Sequence, residues 1–523
     1  MMNRLKKEKT IGAYKLAEST DNLLYLHKIK RDIARQQFSF KKNWMAKYLF
    51  GRMADDIELT ARQLLLSRLN FIPFNIHLLN GFAYGQPVSY ALPAVWQKIL
   101  INDTIRVSRV SASVYFQWFI FKRLCINSWQ VIRLILSMIK KRTTDHIASG
   151  TYVQFCDISK NCIAWDDSSD CFTITNWYMK WSGRVAGIKE IRHNVTSVNK
   201  ISIGTVAILP ADPFSGISMK EKINFLFWSM GALLIAAGSF LSGKWQNPLL
   251  LYEAAMAKII EQTKSELLAK EYLFSISSFA VRPLWTYIAE KKGSIITNYS
   301  YASSFQGIKT KNGYVNQDYP FEITSWPRLL YWTDEYVTFL KTVVNQNIAV
   351  IKVPAIYHSD QIFDFPKIQG KCIAVFDVSP VEEYENVIRL PEASFRSYES
   401  GKKFLMDIYQ SLETKNIKIL WKRKRGFSKM HSNEYVMFCD SFEKLPNVIC
   451  IPPEVSAFRV VKESDFSISM PFTSTAFIGV AENIPSVFYD PYGTMYKDDR
   501  GAQSVDLLSG ADELKQWIAK NIQ

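Results

Sequence analysis

From residue 271 to the end of the chain, short apolar runs alternate with stretches of helical period. The runs at 272–276, 294–299, 329–332 and 349–353 predict strands, and 282–291 and 334–344 predict helices. Phe365, Pro366 and Lys367 punctuate the pattern as a linker, after which the alternation resumes. Strands are expected at 371–377, 417–421, 448–451, 466–469 and 486–489, and helices at 398–413, 455–462, 473–481 and 511–522. Strands this apolar, alternating with helices, belong to parallel sheets covered on both faces. The predicted fold class is α/β: two Rossmann-type domains in tandem, with the site between them where the strands end.

Upstream the pattern changes. Residues 1–149 form a basic region that reads mainly helical. Residues 150–369 open with β-like stretches at 152–156, 161–165 and 171–175 and contain the first α/β unit, and 370–523 form the second, of ordinary domain size. The most hydrophobic segment is 223–241, INFLFWSMGALLIAAGSFL, which has no charged residue. About 20 apolar residues can cross a bilayer as a helix. A span, a helix dipping into a membrane and a buried core helix all fit this segment. A span would put the strands before and after it on opposite sides, yet they look like parts of one body.

A chain of 523 residues is too long for one core, and 48% hydrophobic residues exclude a disordered protein. The formal charge of +16 implies an anionic partner: nucleic acid, anionic lipid or a phosphorylated substrate. No zinc-finger spacing, RNA-binding aromatic signature or basic zipper occurs, so nucleic acid is not an expected partner. Lys28, Lys30, Arg31, Arg35, Lys41 and Lys42 crowd the N-terminal region. At 114–142, Tyr115, Phe116, Trp118, Phe119, Phe121 and Trp129 are mixed with Lys122, Arg123, Arg133, Lys140, Lys141 and Arg142. Such a stretch either lies in the plane of an anionic membrane surface or forms core helices with one solvated face. Seven cysteines without CxxC spacing read as reduced thiols, and no secretory signal follows the basic N-terminus. The expected location is cytoplasmic, at the inner face of the cytoplasmic membrane.

The candidate chemistry gathers at strand ends. The strand at 466–469 delivers the chain to Met470 and then to Pro471, Phe472, Thr473, Ser474 and Thr475, where a helix begins. Free N–H groups and three hydroxyls at a helix start suit a phosphate or nucleotide, although a single hydroxyl there is an ordinary cap. The strand at 417–421 runs into Lys422, Arg423, Lys424 and Arg425. Alternation puts Lys422 and Lys424 on one face and Arg423 and Arg425 on the other, so either pair could neutralise a leaving phosphate. His431 is a candidate to protonate that phosphate. Asp490 ends the strand at 486–489 and either holds a sugar hydroxyl or makes an Asp-Pro turn.

The run SMPFTSTAFIGVAENIPSVFYDPYG resembles the signature of the polysaccharide biosynthesis PFTS-motif proteins. YKDDRGA and LLSGADELKQWI continue the likeness downstream, and AVFDVSP, ILWKRKR and RPLWTYIAEKKGSIITNYSY extend it upstream. That family belongs to bacterial surface-carbohydrate gene clusters. The resemblance implies a GT-B-like fold and a glycosyltransferase role. A looser similarity links the Lys/His and Ser/Thr arrangement to transferases using CMP-activated acidic sugars. Here Ser432, not proline, follows His431, and the E-x7-E signature of many retaining GT-B enzymes is not apparent near the Thr/Ser loop.

A transferase of this kind needs an acceptor side and a base on the first α/β unit. Tyr301, Ser303 and Ser304 follow one of its strands, and Asp334 and Glu335 follow another. The two carboxylates are catalytic candidates, or simply acids placed at a helix start. Arg282 is a candidate to hold an acidic sugar or phosphate. The donor is a CMP-, UDP- or GDP-linked sugar, and the acceptor a glycan or a lipid-linked glycan. No other cofactor is called for, and no metal: Asp498-Asp499 and Asp166-Asp167 make no DxD motif. Two other functions fit the pattern, a nucleotide-sugar epimerase and a non-catalytic membrane-associated assembly protein.

Overall fold

The structure, a computed structural model, describes residues 20–36, 43–51, 54–67, 72–140, 152–158, 163, 174–182, 188–195, 201–203, 205–275, 281–300, 309–310, 313–314, 319–354, 364–378, 380, 397–423, 426–427, 431 and 433–521. Lys41, Lys42, Lys141, Arg142, the Asp166-Asp167 pair and, except for Ile163, the expected strand at 161–165 lie outside them.

Helices α1 (Thr20–Arg35), α2 (Trp44–Phe50), α3 (Ala54–Leu66), α4 (Ile72–Tyr84), α5 (Ala94–Asn102) and α6 (Arg109–Lys140) come first. Their apolar faces, with Ile33, Leu49, Leu65, Phe74 and Trp96, share one core with Tyr272 and Phe274 of the sheet that follows and with Trp326, just ahead of one of its strands. The cations of α1 serve this packing. Lys28 pairs with Asp103 at 3.2 Å, Arg35 forks onto Glu322 at 3.0 and 2.9 Å, and Lys30 is buried.

The first sheet contains β1 (Tyr152–Cys156), β2 (Glu190–His193), β3 (Ile201–Ile203), β4 (Val206–Pro210), β5 (Glu271–Ser275), β6 (Ile295–Tyr299), β9 (Arg328–Tyr331) and β10 (Ala349–Lys352). Between them run α7 (Ile174–Ser182), α8 (Met219–Leu241), α9 (Gln246–Leu249), α10 (Leu251–Gln262), α11 (Trp285–Lys291), α12 (Tyr319–Glu322) and α13 (Asp334–Val343), with a small hairpin, β7 (Lys309–Thr310) and β8 (Gly313–Tyr314). The spatial order is β10-β9-β6-β5-β1-β2-β4-β3, parallel except that β3 runs against β4. Of the expected strand at 171–175, Cys171, Phe172 and Thr173 lie outside the described residues, while Ile174 and Thr175 open α7, in which Trp177 stacks on Trp181 one turn later at 5.0 Å. The apolar segment forms α8, opened by a capping box in which Ser218 Oγ accepts from Glu221 N and Glu221 Oε2 accepts from Ser218 N. Strands before and after α8 are hydrogen-bonded neighbours, since β1 pairs with β5. The two ends of α8 therefore return to the same body.

The second sheet contains β11 (Cys372–Phe376), β12 (Lys418–Lys422), β13 (Val448–Ile451), β14 (Phe466–Ser469), β15 (Ser486–Asp490) and β16 (Leu507–Ser509). Its helices are α14 (Tyr398–Leu412), α15 (Asn433–Phe442), α16 (Ala457–Lys462), α17 (Ser474–Ala481) and α18 (Gly510–Asn521). Every pairing is parallel, in the order β13-β12-β11-β14-β15-β16. Val375, Trp421 and Ile468 face Phe404 and Ile408 on one side, while Ala374 and Leu420 face Phe458 and Val461 on the other. Both faces are thus covered, as the unbroken apolar runs require. Trp332, just after β9, packs against the cores of both sheets.

Candidate functional site

In the second sheet the chain winds outward from β11 in one direction and from β14 in the other. The order reverses between these adjacent strands, so the loops leaving their carboxyl ends diverge and open a crevice. The loop leaving β14 is the Pro471 to Thr475 run. It is tied to the end of β11 by Met470 N donating to Phe376 O at 2.9 Å. Phe472 adopts a left-handed φ of 59°, a conformation that bulky residues rarely take. Its buried ring sits 5.7 Å from that of Phe488, so burial holds the strained turn in place. Thr473 stands at the N-cap of α17 but makes no capping bond, because its hydroxyl donates back to Met470 O at 2.9 Å. Thr475 Oγ1 lies 2.7 Å from Ser469 Oγ and 3.1 Å from Thr473 Oγ1. The first N–H groups of α17 are left without a side-chain cap, and Ser474 Oγ has no partner among the described residues.

The loop leaving β11 starts with Asp377, which the sequence reading did not single out. It is buried, and the Tyr435 hydroxyl donates to its Oδ2, while Oδ1 has no partner among the described residues. Burial pushes the carboxyl up to about 6, against the downward pull of the Tyr435 hydroxyl and of the Arg423 charge. The Trp421 indole pulls the same way, although its N–H falls outside hydrogen-bond geometry. Arg423 leaves the end of β12 on the Trp421 side, its guanidinium 5.6 Å from that ring and 4.5 Å from the ring of Phe427. His431 packs on the same Phe427 at 5.8 Å. Lys422 is buried and turns elsewhere, donating to Pro453 O at 3.2 Å.

A family model described as polysaccharide biosynthesis PFTS motif protein matches residues 228–518, more than half of the chain. The chain belongs to this family. Its motif is the switch-point loop just described, and the family's name places the protein in polysaccharide biosynthesis. No curated protein matches the chain.

The remaining candidates of the PFTS-motif protein lie elsewhere. Asp334 and Glu335 open α13 and line a cavity of about 760 Å³ between the two sheets, together with Trp332, Phe477, Glu482 and Gln503. Asp334 pairs with Lys352, and Glu335 accepts from Ser504 at 3.4 Å. This cavity meets α17 from Phe477 onward. Ser474, Asp377 and Arg423 are not among the residues that line it. Asp490 is buried inside its own turn, accepting from Tyr492 N, Met495 N and Thr494 Oγ1 at 3.1, 2.7 and 3.2 Å. Of its two readings, the geometry supports the turn. Arg282, expected as a cation for an acidic sugar or phosphate, is engaged within the fold. Its guanidinium is buried over the Tyr287 ring and donates to Thr286 Oγ1, Ser325 O and Glu290 Oε2. Tyr301, Ser303, Ser304, Lys424 and Arg425 lie outside the described residues. Among the described residues no cluster of His, Cys, Asp and Glu is assembled that could hold a metal ion.

Gly479 fixes how closely α17 approaches β15. A Cβ there would stand 2.8 Å from Ser486 Cβ and 1.8 Å from its Oγ. We expect Gly479→Ala to cost about 1–3 kcal/mol in urea unfolding, as overpacking does. Adding Ser486→Gly should recover most of that loss.

Proposed function

We propose that this PFTS-motif protein is a glycosyltransferase of bacterial surface polysaccharide synthesis, with a GT-B pairing of its two α/β units. It moves a sugar from a CMP-, UDP- or GDP-linked donor to a glycan or lipid-linked acceptor. The observation that carries this reading is the uncapped start of α17 at the switch point, beside the unengaged Ser474 hydroxyl. Uncapped N–H groups at the positive end of a helix suit a phosphate.

In the transfer, an acceptor hydroxyl attacks the anomeric carbon and the bond from that carbon to the phosphate oxygen breaks. Negative charge then develops on the departing nucleotide, where the helix start and Arg423 favour it. Asp377, largely ionised at neutral pH and with one oxygen that has no partner among the described residues, can accept a hydrogen bond or a proton from a hydroxyl in the crevice. The cavity holding Asp334 and Glu335 is the proposed place of the acceptor. The reading calls on no nucleic acid, metal or further cofactor.

Thermal unfolding with CMP, UDP, GDP and their sugar conjugates tests the donor site. The matching nucleotide should stabilise the fold by about 2.7 kcal/mol when present at about 100 times its Kd. Ser474→Ala should lose most of that shift while keeping the melting temperature of the unliganded protein. If no nucleotide moves the melting temperature, the donor reading fails and a non-catalytic assembly role takes its place.

A further inference from the structure

We propose that α6 and α8 together form a docking surface that lies flat in an anionic lipid membrane. Along α6 the exposed side chains Val114, Trp118, Phe121, Cys125, Trp129 and Ile132 recur every three or four residues. Leu136 and Ile139 continue the row, so one apolar stripe runs down the solvent side of a helix about 48 Å long. Helix α8 repeats the spacing with Met219, Ile223, Phe227, Met230, Leu234 and Leu241, all exposed. Its opposite face, with Phe225, Trp228, Ala232 and Ala236, is buried in the core. The two helices meet where Phe121 of the α6 stripe packs at 5.8 Å on Phe240, a half-buried neighbour of exposed Leu241 on α8. Two rows of large apolar side chains facing water on helices in contact need a cover.

Charge identifies the cover. Helix α6 contains Arg109, Lys122, Arg123, Arg133 and Lys140 and no acidic residue. Lys122 Nζ lies 5.1 Å from the Trp118 ring, at the border of the stripe, where a cation reaches lipid phosphates while its stem stays on apolar surface. A second copy of the same face would bring like charges together, whereas an anionic bilayer complements them. The helices lie in the interface and do not cross it, because strands on both sides of α8 belong to one sheet. The surface is independent of what the switch-point crevice binds, so vesicle binding and nucleotide binding can fail separately.

Co-flotation of the full chain with phosphatidylcholine vesicles, with and without phosphatidylglycerol, tests the assignment. Binding should require phosphatidylglycerol, and added salt should weaken it without abolishing it, because the stripes are inserted. Trp118→Glu and Phe227→Glu should each weaken binding about tenfold or more and leave the melting temperature unchanged. Trp129→Glu and Leu234→Glu replace either one that fails to fold. Absence of co-flotation with the anionic vesicles, complete release by salt, or binding unaffected by these substitutions would overturn the proposal. A dimer in solution that the same substitutions dissociate, without vesicle binding, would assign the face to a second copy of the chain.

Discussion

Arg282→Ala should cost about 2–3 kcal/mol of stability in urea unfolding, because it removes a buried guanidinium with its charge-assisted hydrogen bonds, while its ion-pair partner Glu290 stays 42% exposed and open to water. The residue precedes α11 and ties three segments together. Its guanidinium binds Thr286 within α11, Ser325 O ahead of β9, and Glu290 at 2.5 Å. Its backbone N–H donates to Gln63 Oε1 of α3 at 3.1 Å, so the N-terminal helices are joined to the same point. The flat face of the guanidinium lies 3.9 Å from the Tyr287 ring. Arg282→Lys should recover little of the loss, since an ammonium neither forks nor stacks in this way. A cation that bound an acidic sugar would behave otherwise: its removal would weaken ligand binding and leave the unliganded fold intact. Unfolding of the unliganded variant at the wild-type denaturant midpoint would therefore return Arg282 to the ligand.

The contrast between Arg282 and the switch-point loop shows where the sequence was informative. Strands β11 to β15 were legible almost residue by residue, because strands buried on both faces leave unbroken apolar runs between turns. The Pro471 to Thr475 loop was legible for the same reason, as the polar break between such a run and the next helix. Strand β16, three residues long, carries no period and was missed. The stretch at 171–175 reads as β-like, yet its last two residues, Ile174 and Thr175, open α7, where Trp177 and Trp181 meet at helical spacing. Partners distant in the chain were the hardest to read. Arg282 looks like any surface cation until Gln63 and Ser325 arrive from elsewhere. Asp377 ends a predicted strand, but its weight comes from Tyr435, 58 residues on, and from the burial both share. Helix α8 posed the opposite difficulty: a segment apolar on every side does not reveal which side is covered.

Asp377→Asn should stabilise the protein near neutral pH and leave its stability unchanged below about pH 4. The carboxyl stands at about 6 in the folded chain, against an ordinary value of 3.8. Between those values the native state keeps a proton that the unfolded chain has released. Stability from this group therefore falls as pH rises from about 4 to about 6, and it stays at the lower level above that. The gap corresponds to about 3 kcal/mol, which the neutral amide should recover while still accepting the Tyr435 hydroxyl. Unfolding midpoints measured across pH for the two proteins should coincide in acid and separate above about pH 5. Parallel curves would mean that the carboxyl is not held up by burial. A buried carboxylate that weakens the fold at working pH, with one oxygen lacking a partner among the described residues beside the family's motif, fits a group kept for the site and not for stability. The same substitution should leave the thermal shift given by free nucleotide intact and reduce the additional shift given by its sugar conjugate. If both shifts survive unchanged, Asp377 does not touch the donor sugar, and the carboxyl that serves the transfer is one of the pair across the cavity, Asp334 or Glu335.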